Sequence, residues 1–218
     1  MSTKEFSEFD LQEYSELLNK EMNEVLNVSE QDMEIGCPEG LLGNFIADLT
    51  LTTTDKDDEN AHYFCVLNNG GIRTTLPKGE ITKGKIYEIM PFDNEIVILD
   101  LSHEQMISLF GYIKNRSIMK DSRKAGVPIS GMRMNINGSK ISRIFIGIKE
   151  YDKNQNYKLI TTDYLASGGD NMDFLKNTKQ ITRTGILLRD AIINYITTLK
   201  SQDIKVSAEL DGRINHAE

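Results

Sequence analysis

The chain has 218 residues, of which 39% are hydrophobic and 27% charged, with a formal charge of −8; this is the make-up of a globular protein of one domain, or one domain with an appendage. The acidic balance, with Lys and Arg scattered rather than gathered in a stripe, argues against a nucleic-acid or anionic-membrane surface. No window reaches the roughly 18 apolar residues of a membrane span, and three His and two Cys without carboxylates at ligand spacing argue against a metal centre built by this chain.

The opening Met-Ser-Thr-Lys-Glu-Phe is polar and carries no export-signal core. Leu11, Tyr14, Leu17, Leu18, Met22, Val25 and Leu26 recur at three- and four-residue spacing and predict an amphipathic helix over 9–27, with Asp10 as N-cap and Glu13 three residues on. An extended piece follows over 28–35, then a second helix over 41–53 and a charged surface loop over 55–60. The apolar run 62–67 reads as a buried strand. It feeds Asn68-Asn69-Gly70-Gly71, residues that accept positive φ and let a main chain approach a ligand, and then Arg73, whose planar fork suits phosphate or carboxylate.

A short helix over 82–89 ends at Pro91. Phe92 then sits between that proline and polar turn formers, where an aromatic is exposed unless something covers it. The β-branched run 95–101 reads as a buried strand, and Ser102 with Gln105 forms a capping-box pair for a helix to 114. Residues 115–124 are polar, basic and read as a loop. Strands are predicted over 132–136, 143–148 and 157–162, the first two joined by the Asn137-Gly138 hairpin signal. The last of them ends in Tyr164 and a small-residue turn that presents Asp170. A helix over 186–200 and an extended stretch over 203–210 complete the pattern. Cys37 and Cys65 are read as free thiols, His103 as a surface residue, His216 as part of a fraying tail, and the nine Met as core filler. The whole reads as an α+β domain, mixed β-sheets layered with helices, over 35–218, preceded by a packed N-terminal helix and lead-in over 1–34.

Four segments stand in one order: Gly43-Asn44-Phe45-Ile46-Ala47-Asp48, Asn68-Asn69-Gly70-Gly71-Ile72-Arg73, Pro91-Phe92-Asp93-Asn94, and Tyr164-Leu165-Ala166-Ser167-Gly168-Gly169-Asp170, with Asp211-Gly212-Arg213-Ile214 as a closing strand. Together they resemble the C-terminal, substrate-binding domain of the 5′-nucleotidase/UDP-sugar hydrolase family across residues 35–214. The resemblance implies that Phe92 and Tyr164 sandwich a nucleobase, a contact worth about 1–3 kcal/mol per base. It implies that Asn68 bonds the base edge, that Gly70 and Gly71 belong to the ligand-facing turn, and that Gly131 falls in the loop passing the base. Asp170 is implied to accept from ribose hydroxyls, and Arg73 to meet the phosphate or ribose end.

Two departures qualify what the resemblance implies. A further Arg that the family places before the Gly-Asn helix has no counterpart, since no Arg or Lys lies between Glu21 and Leu51. The family's metallophosphoesterase domain, which holds two divalent metals, is not in this sequence, so no catalytic residue and no cofactor is assigned to the chain. Two functions remain open. The first is the nucleoside- or nucleotide-recognition half of a nucleotide phosphohydrolase whose metallophosphoesterase half is a separate chain. The second is a free-standing nucleoside or nucleotide binder or sensor without catalysis. The resemblance also implies an extracytoplasmic location.

Overall fold

The computed structural model describes residues 8–56, 58–119 and 125–217. In chain order its elements are α1 (Glu8–Met22), β1 (Val25–Ser29), α2 (Leu41–Thr53), β2 (His62–Val66), β3 (Gly79–Thr82), α3 (Lys83–Ile89), β4 (Glu95–Asp100), α4 (His103–Ser117), β5 (Ile129–Ser130), β6 (Met132–Asn137), β7 (Lys140–Ile146), β8 (Lys149–Glu150), β9 (Tyr157–Thr162), α5 (Asp163–Ala166), β10 (Ile181–Leu187), α6 (Leu188–Ser201) and β11 (Ile214–Ala217). A five-stranded sheet runs β10-β4-β9-β2-β5, a four-stranded sheet runs β11-β6-β7-β8, and β1 pairs with β3.

The central strands are apolar on both faces because each face has its own core. Successive strand residues point to opposite sides. On one side Cys65, Ile96, Ile98 and Ile160 meet Ile46 and Leu49 of α2, Ile86 of α3 and Ile192 and Ile196 of α6. On the other, Phe64, Val66, Val97, Leu99 and Leu159 meet Phe110 and Ile113 of α4 and Met134 of the smaller sheet. The result is an α+β fold of mixed sheets layered with helices. The capping box predicted for α4 forms as written: Ser102 Oγ accepts from Gln105 N at 3.3 Å while Gln105 Oε1 accepts from Ser102 N at 3.1 Å.

Two of the sequence motifs hold this framework. Arg213 donates to both carboxylate oxygens of Asp48, each at 2.7 Å, to Asp211 at 2.7 Å and to Ile129 O at 2.8 Å. The Asp of the α2 motif is thereby tied to the Arg of the closing motif. A Cβ at Gly43 would lie 3.1 Å from Pro128 Cγ, so the glycine sets how closely α2 approaches that loop.

Several expectations are corrected. The helix predicted over 9–27 ends at Met22, and residues 25–29 form β1 instead. Leu26 enters the core, and buried Asn27 donates to Ile196 O at 3.1 Å and Ile204 O at 3.0 Å, bonds available only in the strand position. Asp10 falls inside α1 rather than capping it, and Tyr14, Leu17 and Leu18 stay exposed, so this part of the stripe is not packed. Residues 115–117 belong to α4, and 120–124 of the predicted loop lie outside the described residues. Ile186 and Leu187 end β10, an edge strand with a register shift between Arg183 and Leu187. His216 lies in β11, paired parallel to β6, with Nε2 3.1 Å from Ser117 Oγ. His103 is exposed, as expected, and stacks on Tyr151, its Nδ1 2.8 Å from the phenol oxygen. Cys37 and Cys65 are free thiols, as expected.

Candidate ligand cleft

Strand direction gathers the site. β2 and β9 are parallel neighbours, so the loops that leave them emerge at one end of the sheet. β4 is antiparallel to β9, so the loop that enters it arrives at that same end. Three stretches far apart in the chain, 68–73, 90–94 and 163–171, therefore meet around one cleft of about 340 Å³, within the size range of small-ligand sites.

Asn68, Gly70, Gly71, Arg73, Phe92, Tyr164 and Asp170 all line it, and Asn94 joins them. The Gly-rich turn is a 3-10 turn, Asn69–Gly71. Contrary to expectation, none of residues 68–71 has positive φ. The glycines are needed for a different reason: the Asn68 side chain folds back over them. A Cβ at Gly70 would lie 3.1 Å from Asn68 Nδ2, and one at Gly71 3.3 Å from its Oδ1. Asn69 anchors the turn from below, donating to Gly36 O at 3.0 Å and Ala125 O at 2.6 Å. Arg73 is exposed, donates to Gly70 O at 3.4 Å, and its guanidinium lies 5.9 Å from the Phe92 ring centroid.

The two rings keep much of their surface in solvent, Phe92 at 43% and Tyr164 at 47% exposure. Tyr164 rides on the single turn of α5, which Thr162 caps by accepting from Leu165 N at 3.4 Å. Asp163 Oδ1 accepts from Glu95 N at 3.1 Å, which ties this turn to the start of β4. The Tyr164 ring lies over Gly169, where a Cβ would come within 2.5 Å of it, and its hydroxyl accepts from Asp170 N at 3.3 Å.

Asp170 has φ 54°, in the left-handed region that only a few non-glycine residues adopt. Its carboxylate is held from two sides: Arg116 Nη2 donates to Oδ1 at 2.9 Å, and Asn68 Nδ2 to Oδ2 at 3.3 Å. Arg116 and the hydroxyl of Tyr112 also donate to Asp170 O, at 3.0 and 3.1 Å. Burial, with the Asp170 charge adding to it, pushes the Tyr112 phenol up to about 12. The residue that carries this carboxylate also lines the cleft.

Sequence reasoning missed Tyr112 and Arg116. A helix continued past 114 would have put them four residues apart on one face, the guanidinium 5.0 Å over the ring as observed. Gly131 is not at this cleft. It stands where the chain crosses from β5 to β6, in a separate depression with Asp48 and Arg213. Its φ is 70°, and a Cβ there would be 2.7 Å from Leu51 Cδ2, so packing accounts for the glycine. Among the described residues no group of three or more His, Cys, Asp or Glu is placed to hold a metal ion.

Flat aromatic walls beside a firmly held carboxylate, on loops gathered at one end of a mixed sheet, make this an α+β domain with a built small-molecule cleft. Residues 22–177 match the model of the 5′-nucleotidase C-terminal domain, and the chain belongs to that family. It is 25% identical over 163 residues to a 5′-nucleotidase of Vibrio parahaemolyticus, 75% of this chain and 28% of that protein. It is 27% identical over 183 residues to the trifunctional nucleotide phosphoesterase YfkN of Bacillus subtilis, of which it covers 12%. The crystal structure of a 5′-nucleotidase precursor from Thermus thermophilus superposes with a TM-score of 0.78 and 26% identity, over 96% of this chain and 43% of that one. The NAD nucleotidase of Haemophilus influenzae shares the fold, at TM-score 0.73 and 14% identity. The chain thus spans less than half the length of each of these proteins.

Proposed function

We propose that this domain recognises a nucleoside or nucleotide by its base and ribose, as the substrate-binding half of a nucleotide phosphohydrolase. The observation that carries the reading is the convergence of Phe92, Tyr164 and Asp170, 72 and 6 residues apart in the numbering, on one cleft. The base stacks between the two rings, a contact that tolerates different bases. Asp170, held by Arg116, accepts from the ribose hydroxyls. Asn68 already donates to Asp170, so it serves the ribose end as well as reaching toward the base edge. Arg73 lies at the mouth, where its fork meets the 5′ end of the ligand.

Phosphate hydrolysis in this reading belongs to a metallophosphoesterase unit outside these residues. Two metals there would polarise the phosphorus and supply hydroxide. The described residues offer base stacking and hydroxyl binding without a metal cluster, which supports a division of labour. Calorimetry on the purified chain tests it. Adenosine binds, and ribose 5-phosphate, which lacks the base, binds far more weakly. AMP binding well above adenosine supports the hydrolase half, and activity gained on mixing with a metallophosphoesterase unit completes it. Equal affinity for the two ligands supports the free-standing nucleoside binder, and no binding of any of them overturns both.

A further inference from the structure

Arg189 breaks two local rules. It occupies the first turn of α6, a helix with no side-chain cap, where a cation opposes the helix dipole. It is also 92% buried (8% exposed), and its Nε is sealed from solvent without a hydrogen-bond partner, an arrangement that costs stability. Residues that violate local preference this way commonly serve a tertiary purpose.

Its contacts say which. The guanidinium lies over the Tyr87 ring at 4.3 Å. One terminal nitrogen donates to Met90 O at 3.4 Å, and the other forms an ion pair and hydrogen bond with Asp93. Met90 and Asp93 flank Phe92 on its two sides. One residue earlier, Leu188 N donates to Asn94 O at 2.9 Å. The start of α6 therefore grips both ends of a five-residue loop. The loop's one aromatic projects into the cleft with 43% of its surface exposed, so the ring's own packing does little to place it.

We infer that Arg189 is a positioning residue for the aromatic wall: by fixing Met90 O and Asp93 it sets where Phe92 stands and how far it moves. The inference deepens the nucleoside-recognition reading and rests on it for its ligand. The positioning itself does not depend on that reading. Asp93, whose side chain is 74% exposed, is the exposed half of the clamp, and its loss gives a milder version of the same effect.

The chain contains no Trp, so Phe92→Trp places a single indole on the loop. In that background Arg189→Met lowers the indole's fluorescence anisotropy and raises its acrylamide quenching, with far-UV circular dichroism unchanged. Asp93→Asn does the same to a smaller degree and covers the case in which the Arg189 variant fails to fold. With adenosine as probe, Arg189→Met weakens binding about tenfold in the otherwise intact chain and not at all when Phe92 is already Ala. Unchanged anisotropy in both variants overturns the proposal. So does equal weakening of adenosine with and without Phe92, which a general loss of stability would produce. If the intact chain binds no adenosine, the nucleoside reading falls, and the anisotropy comparison still decides the role of Arg189.

Discussion

Arg116 and Asp170 meet at 2.9 Å beneath the cleft, their side chains only 8% and 5% exposed. Taking one partner from a buried pair leaves the other charge without compensation, at a typical cost of roughly 3–5 kcal/mol. Arg116→Met is therefore expected to lower the unfolding free energy by about that much, read from urea denaturation. Arg116→Met with Asp170→Asn removes both charges and should cost clearly less than the sum of the two single changes. Additive costs would show that the pair does not couple.

Gly169 is expected to control the second aromatic wall. Its replacement by Ala puts a methyl into the Tyr164 ring and forces that ring off the Gly169–Asp170 backbone. Adenosine affinity should fall by as much as a lost stacking contact, about 1–3 kcal/mol. Tyr164→Phe keeps the ring and removes only the acceptor for Asp170 N, so the loss there should be smaller, about 0.5–1.5 kcal/mol. Calorimetry on both variants checks the order, and a Gly169→Ala chain that binds as well as the intact one would refute it.

The Asp48–Arg213 tie should behave in the opposite way. Arg213 is nearly buried while Asp48 is half exposed, so Arg213→Met strands a carboxylate that water can still reach. A destabilisation of roughly 1.5–3 kcal/mol is expected, visible as a lower Tm by about 2–4 °C per kcal/mol. Adenosine affinity of the folded variant should not change, because this pair lies at a different depression from the cleft.

Tyr112 makes the fold sensitive to alkali. Its phenol is held at about 12 in the folded chain, against about 10 in an unfolded one. The folded state thus favours the neutral form. Its contribution is complete below about pH 10 and is lost as pH climbs toward about 12. Tyr112→Phe should flatten the fall in unfolding free energy across that window. Urea titrations at about pH 9 and about pH 11 measure it, and identical slopes for the two chains would refute the assignment.

What could be read from residue order alone follows from how local each signal is. β2, β4 and β9 stand out because a strand buried on both faces is rich in apolar residues along a continuous run; in β9 the buried Lys158 is tolerated through its pair with Asp100. Phe92 and Tyr164 stand out because an aromatic among turn formers has nothing local to bury against. The capping box of α4 needs only residues three apart. The end of α1 was misread because Val25 and Leu26 continue its helical spacing. What settles them into a strand is pairing with residues 79–82 and the carbonyls that Asn27 reaches near residues 196 and 204. β10 left no signal because its edge position needs little apolar content.

Residue order was enough to establish the family, the mixed α+β layering and most of the side chains that face the cleft, since each of these is written in short-range pattern and turn chemistry. It took the folded chain to show that Asn68 reaches back over its own glycines to the acid, that Gly131 serves packing, and that two arginines 54 and 96 residues from their partners hold the acid and the ring loop in place. The reason is the strand arrangement: parallel and antiparallel neighbours bring distant loops to one end of a sheet, and a charge acquires its meaning from whatever it is brought against.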